Sequence, residues 1–169
     1  VIKSVFHGAF RKEVFYKVGL FNEQLVRTED NDIHYRIREA GYEIWFHPDI
    51  RSYQHIRENL ASMIRQKFKN GYWIGRTLGI SPKCLSPYYY FVPFCFVMAI
   101  LFTGILALAG HPFLAVLMWG TYALFAIGNA LVSILSDKKR CLPYICLPFL
   151  FLVLHISYGT GTFFGLCSL

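Results

Sequence analysis

The chain has 169 residues, 55% of them hydrophobic, with 17 Lys/Arg against 10 Asp/Glu and a net charge of +7. From Tyr88 onward the only charged side chains are Asp137, Lys138, Lys139 and Arg140, so residues 1–87 hold 14 of the basic and 9 of the acidic ones. A globular domain needs a polar exterior, and the second half cannot supply one; a wholly soluble protein is excluded. The first half is short for a core of its own. Val1-Ile2-Lys3 carries neither an initiator Met nor a signal peptide, which points to a piece of a longer chain. The five cysteines contain no CxxC pair and lie in or beside apolar runs, which argues against zinc and against a disulfide framework.

In chain order, Arg11–Val18 reads as a short helix closed by Gly19. Residues 21–27 read as loop. Thr28 is a good N-cap, and Glu29, Asp30 and Asp32 crowd the first turn of the next helix, where the dipole favours anions. Ile33, Ile37 and Ala40 give that helix an apolar face, and Gly41 ends it. Glu43–Phe46 and Ile50–Ile56 read as short strands around His47-Pro48-Asp49. The material is α/β, with too few strands for a complete sheet. Arg57–Arg76 is a basic amphipathic helix, with Leu60, Met63, Ile64, Phe68 and Tyr72 as its stripe. Directly before apolar runs, such a helix is expected in the headgroup plane rather than docked on a soluble domain.

Three apolar runs follow, near 88–110, 113–135 and 142–166, each long enough for the roughly 20 residues a bilayer core requires. Helices are expected, because every backbone polar group must be paired inside lipid. The domain division is therefore 1–56, 57–87 and 88–169. Lys138, Lys139 and Arg140 lie between the last two runs, Arg65 to Lys83 precede the first, and His111-Pro112 carries no Lys or Arg. That alternation fits three spans with residues 1–87 in the cytoplasm, and Tyr88-Tyr89-Tyr90 at the first interface. His155 and the stretch Tyr158–Gly165 add polar and small residues to the last run; close helix packing explains them better than a transport pathway.

Glu29-Asp30 is the sharpest chemical candidate, since a carboxylate at a loop-to-helix junction can accept a proton from a substrate hydroxyl. Composition alone favours the plainer role of stabilising the helix start. Asp30-Asn31-Asp32 spells DxD, but residues two apart on a helix do not share a face, which argues against a metal pair there. His55 ends an expected strand and is a candidate metal ligand, although a lone His is more often scaffold. No P-loop, GxGxxG or Ser-His-Asp pattern is present, and the adjoining apolar runs favour lipid or a sugar nucleotide over nucleic acid as partner.

His7–Phe15, Val18–Glu23, Thr28–Ile33 and Tyr35–Tyr42, taken in order, resemble the back half of family 2 glycosyltransferases, inverting enzymes of GT-A fold. With Arg65–Phe68 running into Gly71-Tyr72-Trp73 and then apolar spans, the chain is similar to bacterial exopolysaccharide enzymes of the succinoglycan-biosynthesis type. The resemblance implies that Asp30 is the general base and that Glu29 shapes the acceptor pocket. It implies that Gly8-Ala9 lines the acceptor side and that His55 lies near a metal-binding position. Gln66 and Trp73 loosely match a membrane-proximal Gln/Arg/Trp motif of processive relatives; the spacing differs and its Arg is absent. The family's nucleotide-binding strands and metal-binding DxD have no counterpart here.

The expectation is therefore a partial α/β GT-A domain, its acceptor-side half, followed by an interfacial amphipathic helix and a three-helix transmembrane region. The parent would be an inverting hexosyltransferase of the bacterial cytoplasmic membrane, moving sugar from a nucleotide-sugar donor to a lipid-linked or polysaccharide acceptor. Mg²⁺ or Mn²⁺ would neutralise the leaving diphosphate, held mainly by residues outside this chain. The chain alone would be inactive without its donor half. The rival is a non-catalytic membrane docking subunit derived from a degenerate transferase. A cation channel is disfavoured because the spans hold no acidic residue.

Overall fold

The computed structural model describes residues 1–4, 8–53, 59–85, 90–136 and 142–169. Among the described residues six α-helices follow one another: α1 Lys12–Val18, α2 Glu29–Glu39, α3 Leu60–Ile80, α4 Val92–Leu108, α5 Phe113–Ser136 and α6 Leu147–Cys167. Short 3-10 turns at Pro82–Cys84 and Leu142–Cys146 lead towards α4 and α6. Gly19 and Gly41 follow α1 and α2 at φ +82° and +85°, a conformation that terminates a helix at little cost only for glycine.

The expected α/β domain is overturned. Among the described residues there is no strand; Glu43–Phe46 is reduced to one antiparallel bridge, in which the Ile2 N–H donates to the Ile44 carbonyl at 2.8 Å. Residues 50–53 are irregular, and Gln54–Ile56 lie outside the described residues. Trp45 and Phe46 beside the bridge are 71% and 59% exposed, so no further chain covers them, and a lone pair of extended segments does not propagate a ladder. The first half instead packs helix on helix. Ile33 and Ile37 of α2 bury themselves with Ile44, flanked by Ile2, Phe10, Val14, Phe15, Val18 and Tyr42.

Of the three expected spans, two stand out among the described residues. Among the described residues, α5 and the segment Tyr144–Cys167 are long and apolar enough to cross a membrane, each at 24 residues. Helix α4 has 17 residues, or about 25 Å at 1.5 Å per residue, short of a hydrocarbon core of about 30 Å. Helices α4 and α5 form an antiparallel hairpin across Gly110, with Phe96 stacked on Tyr122 at 4.5 Å and Thr103 facing Met118. Tyr88, Tyr89 and Asp137–Cys141 lie outside the described residues.

Helix α3 does not lie apart as an interfacial helix. It runs parallel to α6 in a fixed register. Ser157 Oγ donates to the Ile64 carbonyl, Gly161 meets Phe68, Gly165 meets Tyr72, and Arg76 donates to the Ser168 carbonyl. The partners on α3 recur every fourth residue and those on α6 every third or fourth, the spacing that keeps one helical face together. From the other side, a Cβ on Gly71 would stand 2.0 Å from the Tyr158 carbonyl oxygen, and one on Gly75 2.5 Å from that of Thr162. Two helices approach this closely only where small residues let their backbones touch. The small residues of the last run thus serve packing.

Candidate functional site

Helix α2 is held against α3 by polar groups rather than by its apolar face. Thr28 stands at the N-cap position but makes no capping bond; its Oγ1 lies 2.6 Å from Thr77 Oγ1, and Thr77 in turn donates to the Trp73 carbonyl. Both threonines are buried. One turn on, Asp32 is buried, accepts from Ser81 Oγ at 2.6 Å and pairs with Arg36 Nε at 2.9 Å. Arg36 also donates to the Val18 and Leu20 carbonyls, which fixes the connection out of α1.

This clamp turns the start of α2 onto a groove of about 1150 Å³. Arg27, Glu29, Asp30 and Asn31 form its first wall. Lys67, Asn70 and Ile74 of α3 form the second. Tyr90, Val92 and Pro93 at the start of α4, with Phe151, Leu154 and His155 of α6, complete it. The groove therefore grades from carboxylates and cations to an apolar wall between α4 and α6. Arg27 Nη1 donates to Asn70 Oδ1 at 2.7 Å, and the Tyr90 hydroxyl donates to Asn31 Oδ1 at 3.1 Å, so the polar end is cross-braced to two further segments. At the other end His155 Nδ1 lies 3.1 Å from the Tyr122 hydroxyl.

The two carboxylates of Asp30-Asn31-Asp32 have separate surroundings. Asp30 is exposed on the groove, and its Oδ1 accepts from the Asn31 N–H; Asp32 is consumed by Ser81 and Arg36. Glu29 Oε2 is buried and has no hydrogen-bond partner among the described residues. Such an atom is expensive to leave unpaired and calls for a donor. His34, on the next turn of α2, is buried with Nδ1 2.9 Å from Ser4 Oγ. Burial pushes its pKa below the usual histidine value, partly offset by nearby Asp30, with Arg38 adding to the depression.

Over 156 residues the chain is 26% identical to the succinoglycan biosynthesis protein ExoA of Rhizobium meliloti (strain 1021). The match takes in 92% of this chain and 45% of that protein, so the chain spans less than half of its relative's length. No family model matches the sequence, and no solved structure matches it.

Of the residues singled out in the sequence, Glu29 and Asp30 both line the groove. Gln66 lines a neighbouring recess. Trp73 packs edge-on against Tyr72, and Gly8 and Ala9 are exposed; among the described residues none of these three belongs to the groove's walls. His55 lies outside the described residues, as does His7 at the start of its motif. No group of three His, Cys, Asp or Glu gathers among the described residues. Arg27 and Asn70 were not legible as site residues. The available signal was the polar strip Gln66, Lys67, Asn70, three and four residues apart within an otherwise apolar stripe.

Proposed function

We propose that this chain is the acceptor-binding part of a membrane-bound, inverting glycosyltransferase of exopolysaccharide assembly, and that Asp30 is its general base. The observation that carries the reading is the position of the Glu29-Asp30 pair at the polar end of a groove whose far wall is apolar. An acceptor with a sugar hydroxyl at one end and a lipid at the other matches that gradient. The likeness to a succinoglycan biosynthesis protein supports the same reaction class.

In this reading the acceptor hydroxyl sits against Asp30, and the buried Glu29 Oε2 accepts from a second hydroxyl of the same sugar. The acceptor oxygen attacks the anomeric carbon of the nucleotide sugar as its proton passes to the Asp30 carboxylate. The bond to the nucleoside diphosphate breaks, its electron pair leaving with the diphosphate oxygen. One displacement inverts the anomeric centre. Mg²⁺ or Mn²⁺ would neutralise the leaving diphosphate, held mainly by residues outside this chain.

The test is Asp30→Asn in the parent protein. Loss of a positioned base lowers turnover by roughly 10²–10⁴-fold. Donor binding is expected to stay unchanged; near-normal transfer by the variant removes Asp30 from the role.

A further inference from the structure

Helix α5 uses only one flank inside the chain. Ala126 and Ala130 are buried there, and Tyr122 meets Phe96 and His155. Thr121, Phe125, Gly128 and Val132 lie on another flank, spaced four, three and four, the repeat that forms a seam between paired helices. Thr121, Phe125 and Val132 are exposed, and a Cβ on Gly128 would meet nothing within 4 Å. Asn129 borders this seam and is exposed as well. Its Nδ2 donates to the Phe125 carbonyl at 2.8 Å, which uses one of two amide hydrogens. The other hydrogen and Oδ1 have no partner among the described residues. Helix α5 is long and apolar enough to cross a membrane, and its 24 residues make about 36 Å of helix over a hydrocarbon core of about 30 Å. Asn129 stands about 10 Å before the end of the helix at Ser136, so its short side chain ends inside the core. An amide left unpaired in hydrocarbon is costly, and a lipid tail or a wholly apolar helix cannot relieve it.

We propose that α5 pairs with α5 of a second copy of this chain along the seam Thr121, Phe125, Gly128 and Val132, with the two Asn129 side chains bonded to each other. A carboxamide both donates and accepts. Across a twofold axis along the bilayer normal, each Asn129 gives its free hydrogen to the other's Oδ1 and receives one in return. The group is therefore its own complement, which singles out a second copy as the occupant. Gly128, next to it, lets the two backbones come close enough for so short a side chain to reach across. No α5 residue belongs to the described walls of the groove, so the pairing does not draw on that site and does not rest on sugar transfer.

The test reconstitutes chains labelled at the N-terminus with donor or acceptor fluorophores together in phosphatidylcholine vesicles. Energy transfer is expected to rise with the protein-to-lipid ratio and to fall when unlabelled chain is added. Asn129→Leu should weaken the association about tenfold, whereas Asn129→Gln, which keeps the amide, should retain most of it. With the native cysteines changed to serine, Val132→Cys should form a disulfide-linked dimer and Ile127→Cys, on a different side of α5, should not. Absence of specific energy transfer at every ratio, equal association of wild type and the Leu variant, or equal cross-linking at positions 127 and 132 overturns the proposal. So does loss of energy transfer in the longer parent with Val132→Cys shielded there from a lipid-soluble maleimide, which assigns the face to another segment of that polypeptide.

Discussion

The hydroxyl oxygens of Thr28 and Thr77 lie 2.6 Å apart, both side chains shielded from solvent, and this contact ties the acidic start of α2 to the last turns of α3. Removing one partner leaves the other buried without its bond. Thr77→Val keeps the shape and deletes the hydroxyl; it should destabilise the fold by about 1–3 kcal/mol, the usual cost of an orphaned buried polar group. Denaturant unfolding in detergent measures this. A change within experimental error would show that water reaches Thr28.

The two aspartates of the α2 start should respond differently. Asp32→Asn removes the charge that holds Arg36 and should cost about 1.5–3 kcal/mol, the range for hydrogen bonds to charged groups. Asp30→Asn replaces an exposed side chain and should change stability by no more than about 0.5 kcal/mol. Parallel melts of the two variants compare them directly. Equal destabilisation would mean that Asp30 is a structural residue and would weaken its candidacy as a base.

The α3–α6 contact predicts a contrast between glycines. A Cβ at Gly71 would come within 2.0 Å of a backbone oxygen of α6, so Gly71→Ala must push the helices apart, at about 1–3 kcal/mol or more. Gly120 on α5 has nothing within 4 Å of the same position. Gly120→Ala should be neutral or stabilising by up to about 1 kcal/mol, since alanine is the better helix former. The order of melting temperatures decides the matter: the two alanine variants behaving alike would refute the packing.

His34 predicts the acid limb of stability. Its folded-state pKa is depressed, chiefly by burial, below the ordinary value of 6.5. The neutral ring is thus favoured in the fold. Its contribution is fully present above 6.5 and is lost as pH falls through the lower folded value, where the unfolded chain binds the proton more readily. Stability should decline as pH drops from 6.5 towards that folded value, and His34→Gln should flatten this part of the profile. Melts across the acid range check it; an unchanged slope in the variant would assign the decline to other groups.

Much of the helical layout was written in local sequence. Gly19 and Gly41 marked two helix ends, the acidic turn marked the start of α2, and the apolar runs marked α5 and α6. Periodicity also placed α3, yet its stripe of Leu60, Ile64 and Phe68 drew attention away from Gly71 and Gly75, which make the tightest contact. The strand reading of Glu43–Phe46 failed because β-type composition forms a sheet only when neighbouring strands exist to pair with it, and here a single bridge at Ile44 is all that is found among the described residues.

By itself, the sequence determined where charge is tolerated and where it is not, and it singled out Glu29-Asp30 through a carboxylate pair at a helix start. Only the tertiary structure decided which of Asp30 and Asp32 faces a groove. Two positions along a helix turn the side chain by more than half a revolution, so the docking of α2 on Thr77 and Ser81 settles the choice. The same docking brought Arg27, Asn70 and Tyr90 together from separate segments. Such convergence leaves no local periodic signal, because it depends on helix-to-helix contacts made far apart in the chain.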